Sequence, residues 1–416
     1  MIKKFKSPNL MSRSEINAAI KVIKSGSLSQ YVGDKGKNFM GGKYVQKFEK
    51  KCAKFFGTKY AVAVNSWTSG LNACVGSLNI EPGDEVIVPT WTMCATATAI
   101  LQWNAIPIFA DIEAETFNID CNKIEKLISK KTKAVMAVDI FGHPCDYNKL
   151  KKICKKYNLY LIIDSAQSIY SFYKNKISAT LGDVGGFSLN YHKHIHTGEG
   201  GIIITNRKSI YKRLTLIRNH AEAVINSKDK KKLSNMIGSN FRFGEIESAI
   251  GIEQLKKIRR RVNHCQKIAS VITLGIKNLI GVKTPVIKKN CTHSFYVYGI
   301  VFDTVKLGMS RRQIVKQLQN EGVPIGEGYL NLHLLPMFQN KIAYGTKGFP
   351  WNLNKRTQLI NYKKGICPVA EKLQDKTFAA FDIAAINMEI KDAHQIVKAF
   401  NRVWIKFFHA KKIKEN

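Results

Sequence analysis

A chain of 416 residues allows two or three domains and a large core, and a 45% hydrophobic fraction with only 10 prolines reads as globular. Its net charge of +36 is a footprint shared with nucleic-acid binders, yet the excess is lysine spread along the chain (Lys149, Lys151, Lys152, Lys155, Lys156, Lys228 to Lys232) without interleaved aromatics, so it reads as solvated helix faces rather than a nucleic-acid surface. With no run of 18 apolar residues, no charged-then-apolar leader and 9 scattered cysteines lacking a CxxC pair, the chain is expected to be soluble and cytoplasmic, with reduced thiols and no membrane partner.

In chain order, residues 1–40 read as an N-terminal segment, with a helix from Ser14 to Ser25 and then a loop rich in glycine and serine. Residues 41–280 read as a large domain in which short apolar runs alternate with amphipathic stretches. Strands are expected at Ala61–Val64, Glu85–Pro89, Ile106–Ala110, Ala134–Ile140, Leu159–Asp164, Gly185–Leu189 and Gly201–Thr205, with helices near 68–79, 92–103, 122–129 and 146–157. That alternation predicts an α/β fold, a mainly parallel seven-stranded sheet between helices. Ile246, Ala249, Ile250, Ile252, Leu255 and Ile258 recur near the helical period, which predicts one long helix between about 243 and 280. It would lead into a smaller α+β domain over 281–416, with a strand at Ser294–Phe302, a helix at Ser310–Glu321 and a final helix at Ile390–Lys406. The stretch from Gly326 to Pro368 has little regular pattern and is expected to be a functional or disordered loop.

Two stretches carry chemistry. The apolar run Leu159–Ile163 ends in Asp164, Ser165, Ala166 and Gln167, which places an acid and an amide at the carboxyl end of a buried parallel strand. Downstream, Ser188 and Lys193 precede the turn Thr197–Gly201, so Lys193 lies on an internal connection, unlike the lysines of the polar helices. A lysine amine for a carbonyl cofactor, a carboxylate to hold a ring nitrogen protonated and a hydroxyl for a phosphate are the groups that pyridoxal phosphate needs. His192, His194 and His196 alternate around the lysine, but no carboxylate or cysteine completes ligand spacing, so no metal is expected. Taken singly, Asp164 would be a cap or turn former, Trp91 a core aromatic, Thr68 and Ser188 strand-end hydroxyls, and Asn240 and Arg242 a cap and a surface charge. Their order along the chain changes that reading.

The ordered blocks are Asn65–Leu71, Pro82–Thr92, Asp164–Gln167, the Lys193 block, Arg218-Asn219-His220, Asn240-Phe241-Arg242 and Glu245–Gly251. On these blocks the chain resembles the sugar aminotransferases of the DegT/DnrJ/EryC1/StrS family, within the pyridoxal phosphate-dependent transferase fold type I. The resemblance implies pyridoxal 5'-phosphate as cofactor, with pyridoxamine phosphate as intermediate. It implies that Lys193 bonds the cofactor covalently, that Asp164 partners the ring nitrogen, that Gln167 neighbours the ring hydroxyl and that Trp91 stacks on the ring. Thr68, Ser69 and Ser188 match the phosphate cradle, and Asn240 matches a residue reaching the neighbouring subunit's cofactor phosphate, which implies a homodimer with shared active sites. His192, Arg242, Tyr329 and His333 are candidate substrate contacts. The implied reaction moves an amino group from glutamate or glutamine to a keto-sugar, foremost a nucleotide-linked keto-6-deoxyhexose. The alternatives are a cyclitol substrate, a keto-inositol of scyllo-inosose type, or a pyridoxamine phosphate-dependent keto-sugar dehydratase. Trp67 stands where the family often has glycine before the phosphate-contacting threonine, so this turn cannot rely on glycine's freedom. Some relatives carry histidine in place of Lys193 and act as dehydratases; lysine favours transamination.

Overall fold

The computed structural model of the chain describes residues 5, 8–34, 36–221 and 237–415, with side chains to 407. The lysine run 228–232 lies outside the described residues. Seven strands form the main sheet: β1 (Tyr60–Val64), β2 (Glu85–Pro89), β3 (Ile106–Ala110), β4 (Thr132–Val138), β5 (Tyr160–Asp164), β8 (Val184–Ser188) and β9 (Gly201–Thr205). A two-stranded hairpin, β6 (Phe172–Tyr173) and β7 (Lys176–Ile177), lies between β5 and β8 in the chain. The spatial order is β1-β9-β8-β5-β4-β2-β3, and β9 alone runs against the others. The mainly parallel sheet is therefore as expected. Runs such as Glu85–Pro89 and Gly201–Thr205 are buried at every position, as strands covered on both faces require.

The helices that matter to the site are α1 (Arg13–Lys24), α2 (Lys43–Phe56), α3 (Trp67–Gly76), α4 (Cys94–Leu101), α5 (Cys121–Ile124), α6 (Tyr147–Tyr157), α7 (Lys208–Arg218), α8 (Glu245–Leu255) and α9 (Ile258–Ile276). The last two correct the expectation of one long helix. The ladder tightens at the junction, where Lys256 N–H donates to Glu253 O (3.2 Å) and Lys257 N–H to Gln254 O (2.9 Å). At this junction α1 docks: Lys257 Nζ pairs with Glu15 at 2.5 Å, and Gln254 Nε2 donates to the same carboxylate at 2.9 Å. Glu15 is thereby held near pKa 2, burial being outweighed by these donors and by Ser12.

A second, antiparallel sheet follows: β10 (Val282–Lys283), β11 (Val297–Phe302), β12 (Gly326–Glu327) and β13 (Phe378–Asp382), in the order β10-β11-β13-β12. The helix Arg311–Asn320 and the C-terminal helix Ile390–Glu415 belong to this part of the chain. One apolar cluster runs from the first sheet into the second, where Phe378 of β13 meets the rings of Phe117, Phe141 and Trp91 at 5.0–5.4 Å. The stretch 326–368, expected as a loop, instead holds β12 and short helices at Leu332–Leu334, Pro336–Gln339, Trp351–Leu353 and Lys355–Leu359, and it is packed. Trp351 Nε1 donates to Tyr362 Oη (3.0 Å), whose hydroxyl donates to Pro107 O (2.7 Å), and Phe338 and Tyr362 pack edge-on against Phe109. All nine cysteines are free, and no helix among the described residues is long and apolar enough to cross a membrane.

Candidate active site

The carboxyl ends of β1, β5 and β8 and the amino end of β9 meet at one edge, because Val64 and Ser188 both lie opposite Gly201 and Asp164 pairs with Gly186. The chain leaves β8 there and returns at β9. Leu189 N–H to Gly200 O (2.9 Å) and Thr197 N–H to Leu189 O (3.0 Å) close the base of this excursion. Gly200 has φ +147, and a Cβ on it would sit 2.7 Å from the Phe243 ring, so the return needs glycine.

Lys193 sits on this excursion, buried, with Nζ 4.2 Å from the centre of the Tyr296 ring. Burial lowers its pKa to about 8, against the opposing pull of Asp164 and Asp382. Asp164 is 3% exposed; burial raises its pKa, and the donors around it and the Lys193 charge oppose the rise. Its Oδ1 accepts from Trp67 Nε1 (2.7 Å) and Ala166 N (3.1 Å), and its Oδ2 from the Thr96 hydroxyl (2.9 Å). Gln167 is oriented by its neighbours. Its Oε1 accepts from Phe141 N (2.8 Å), so its amide N–H faces the Tyr329 hydroxyl at 3.0 Å. Burial pushes Tyr329 up to about 12.

The start of α3 supplies an anion cradle. Ser66 caps it, taking the Ser69 N–H on its hydroxyl (3.0 Å) and the Gly70 N–H on its carbonyl (3.0 Å). The N–H groups of Trp67 and Thr68 and the exposed Thr68 hydroxyl are left without an acceptor among the described residues. The Ser69 hydroxyl meets that of Ser66 at 2.9 Å, and Ser188 accepts from Asn190 N at 3.3 Å. Asn240 is exposed beside this cradle in its own chain, where Asn65 Nδ2 donates to its carbonyl at 3.4 Å. The donor set fits pyridoxal phosphate: a partly neutral amine, an ionisable acid with an acceptor position to spare, and N–H groups free for a phosphate.

Other expected residues stand differently. Trp91 is 0% exposed, edge-on to Phe378 at 5.2 Å and near-parallel to Tyr329 at 6.4 Å; in this chain it is a core aromatic, and its indole N–H has no partner among the described residues. Met93, two residues on, is the exposed apolar side chain at the start of α4, 61% exposed and one turn before Thr96. His333, expected at the substrate, is fully buried in a chain linking the Thr90 hydroxyl (2.5 Å from Nδ1) to Glu371 (3.0 Å from Nε2). Both ring nitrogens are used, so it joins the end of β2 to the Gly365–Glu371 segment rather than facing a ligand. His192 is half-buried between Tyr191 and Tyr296, its pKa brought to about 4 by burial and then by the Lys193 charge. Arg242 lies towards the N-terminal loop, with Nε on Asn219 Oδ1 (2.9 Å) and its guanidinium 5.8 Å from the Tyr31 ring.

A model of one family matches residues 27–373, and its description is the DegT/DnrJ/EryC1/StrS aminotransferase family. The chain belongs to that family. Its enzymes are pyridoxal phosphate-dependent sugar aminotransferases, and structures of the fold have been solved with the cofactor bound. GDP-perosamine synthase of Escherichia coli O157:H7 is 34% identical over 300 residues, covering 72% of this chain and 80% of that one. GDP-4-keto-6-deoxy-D-mannose 3-dehydratase of Escherichia coli O55:H7 is 30% identical over 307 residues, 69% of this chain and 78% of that one. The aminotransferase of Psychrobacter cryohalolentis shares the fold, with a TM-score of 0.81 at 24% identity over 97% of this chain and 100% of that one. Sequence reasoning missed Thr96, Tyr296 and Asp382, which reach the site from α4, β11's approach and the end of β13. Trp67 did give a signal, as a bulky residue where the family often has glycine.

Proposed function

We propose that this chain is a homodimeric aminotransferase moving an amino group from glutamate or glutamine to a nucleotide-linked keto-6-deoxyhexose. The observation that carries the reading is Lys193, a buried amine with its pKa brought down to about 8, across from Asp164. Pyridoxal phosphate, when bound, supplies the electron sink that lets a proton leave the carbon bearing the amine. Lys193 would hold the cofactor and, once freed as an amine, would take a proton from the donor carbon and deliver one to the acceptor carbon. Asp164, its charged form supported by Trp67, Thr96 and Ala166, would hold the protonated ring nitrogen. Gln167 would present an amide N–H to the ring hydroxyl, the exposed Met93 rather than the buried Trp91 would be free to lie against the ring, and Thr68, Ser69 and Ser188 with the α3 start would hold the phosphate. Asn240 would reach the partner's cradle, and Tyr329, held by Gln167, would face the sugar.

A second reading, a keto-sugar dehydratase, is favoured by the 30% identical relative of that activity. Lys193 opposes it, since a histidine there would leave no amine to hold the cofactor. Incubating the loaded protein with glutamate or glutamine and a panel of nucleotide keto-sugars, then weighing the products, separates the two. Replacement of the keto oxygen by an amine, with 2-oxo acid formed in equal amount, supports the proposal. Loss of a hydroxyl from the sugar without a retained amine overturns it.

A further inference from the structure

We propose that Trp67 is a positioning residue for the cofactor: its indole N–H holds Oδ1 of Asp164 and leaves a single acceptor position, on Oδ2, for the protonated ring nitrogen. A carboxylate offers about four lone-pair positions. Oδ1 of Asp164 is filled by Trp67 Nε1 at 2.7 Å and Ala166 N at 3.1 Å, and Oδ2 receives the Thr96 hydroxyl at 2.9 Å. One position on Oδ2 remains.

The two side-chain donors are not equivalent. An indole N–H can only donate, so Oδ1 is fixed as an acceptor whatever the rest of the site does. The Thr96 hydroxyl can turn, since it also faces the Thr92 hydroxyl at 3.1 Å. The sequence makes room for the indole. A Cβ on Gly70 would lie 2.7 Å from the Trp67 ring; one on Gly186, in the strand beside Asp164, would lie 2.5 Å from it and nearer still, at 2.0 Å, to the Ile202 carbonyl oxygen. Trp67 is also the first residue of α3, so its backbone N–H belongs to the anion cradle while its side-chain N–H grips the acid. One residue thus fixes the phosphate end of the site relative to its ring-nitrogen end. A glycine at this position would leave Asp164 without that donor. Burial raises the pKa of Asp164, and the Trp67 bond heads the interactions that oppose the rise. Without it the acid shifts towards its neutral form, and the ring nitrogen loses its counter-charge.

The inference rests on the family's pyridoxal phosphate dependence and not on which sugar is aminated, so it is read on the cofactor itself. In Trp67→Phe, which keeps an aromatic ring but no N–H, pyridoxal phosphate should bind about tenfold more weakly, the effect of a rise of about one unit in the pKa of the acid that must be charged to hold the ring nitrogen. The pH midpoint of the visible absorbance of the loaded protein should move upward, because a less charged ring makes the linkage to Lys193 hold its proton to higher pH. In an Asp164→Asn background the same substitution should have no added effect. A folded Trp67→Phe protein with cofactor affinity within about twofold of the parent and an unmoved midpoint overturns the proposal; a packing role alone would leave the midpoint where it was. Should that variant not fold, the unsubstituted protein carries the test. The Trp67 indole N–H resonance should shift when pyridoxal phosphate is added, and an unshifted resonance in the loaded protein overturns the proposal.

Discussion

Lys193 is shaped by two opposing forces at one atom. Burial drives its proton off, and the carboxylates of Asp164 and Asp382 draw it back, leaving a pKa of about 8. Only the neutral amine attacks the cofactor's aldehyde. Capture of pyridoxal phosphate by the cofactor-free protein should therefore speed up with pH below about 8 and level off above it, as stopped-flow absorbance would record; a plateau already reached near pH 6 would contradict the assignment. Lys193→Ala should lose turnover by about a thousandfold or more in a coupled 2-oxo acid assay. The residues that could be read beforehand, Lys193, Asp164 and Gln167, are those whose chemical type is demanded by the cofactor and whose place at a strand end is visible locally. Trp91 and His333 were misplaced because a ring or an imidazole gives no local sign of which way it faces. Thr96, Tyr296 and Asp382 were invisible for the complementary reason: they enter the site through tertiary packing.

At the scale of the element, the sheet was legible because its strands are buried on both faces and so read as unbroken apolar runs. The break between α8 and α9 was not, and the partner that docks there, Glu15, lies more than 200 residues away in sequence from Lys257 and Gln254. The packed order within 326–368 also depends on distant partners, Phe109 and Pro107. Arg218 and Glu49 make a further long-range tie. Arg218, fully buried at the end of α7, bonds Glu49 of α2 and the Ala63 carbonyl of β1 (3.1 Å), and Glu49 accepts from Ala63 N at 2.8 Å. Removing one partner leaves a charge stranded in the core. Arg218→Ala should cost about 3–5 kcal/mol in urea unfolding, and a loss below about 1 kcal/mol, the size expected of an exposed pair, would show that the pair is not the link described.

For the molecule as a whole, buried neutral histidines are one source of acid sensitivity. Burial holds His143 and His194 near pKa 4 and His293 well below its ordinary value. Between about pH 6.5 and 4 the unfolded chain binds protons at these sites that the folded chain does not, so they remove stability as pH drops; the carboxyls of Glu49, Asp139 and Asp164, raised by burial, act the other way. Thermal melting from pH 7.5 to 4 should show the decline beginning near 6.5, and a Tm constant down to pH 4.5 would contradict it. The proposed shared-site dimer makes a separate prediction. Mixing Lys193→Ala and Asn240→Ala protomers should restore activity above either parent, because one site of the mixed dimer draws both intact residues. Borohydride reduction of the pyridoxal phosphate-loaded protein, followed by peptide mass spectrometry, should find the cofactor fixed to Lys193 alone; label on another lysine, or none at all, would contradict it.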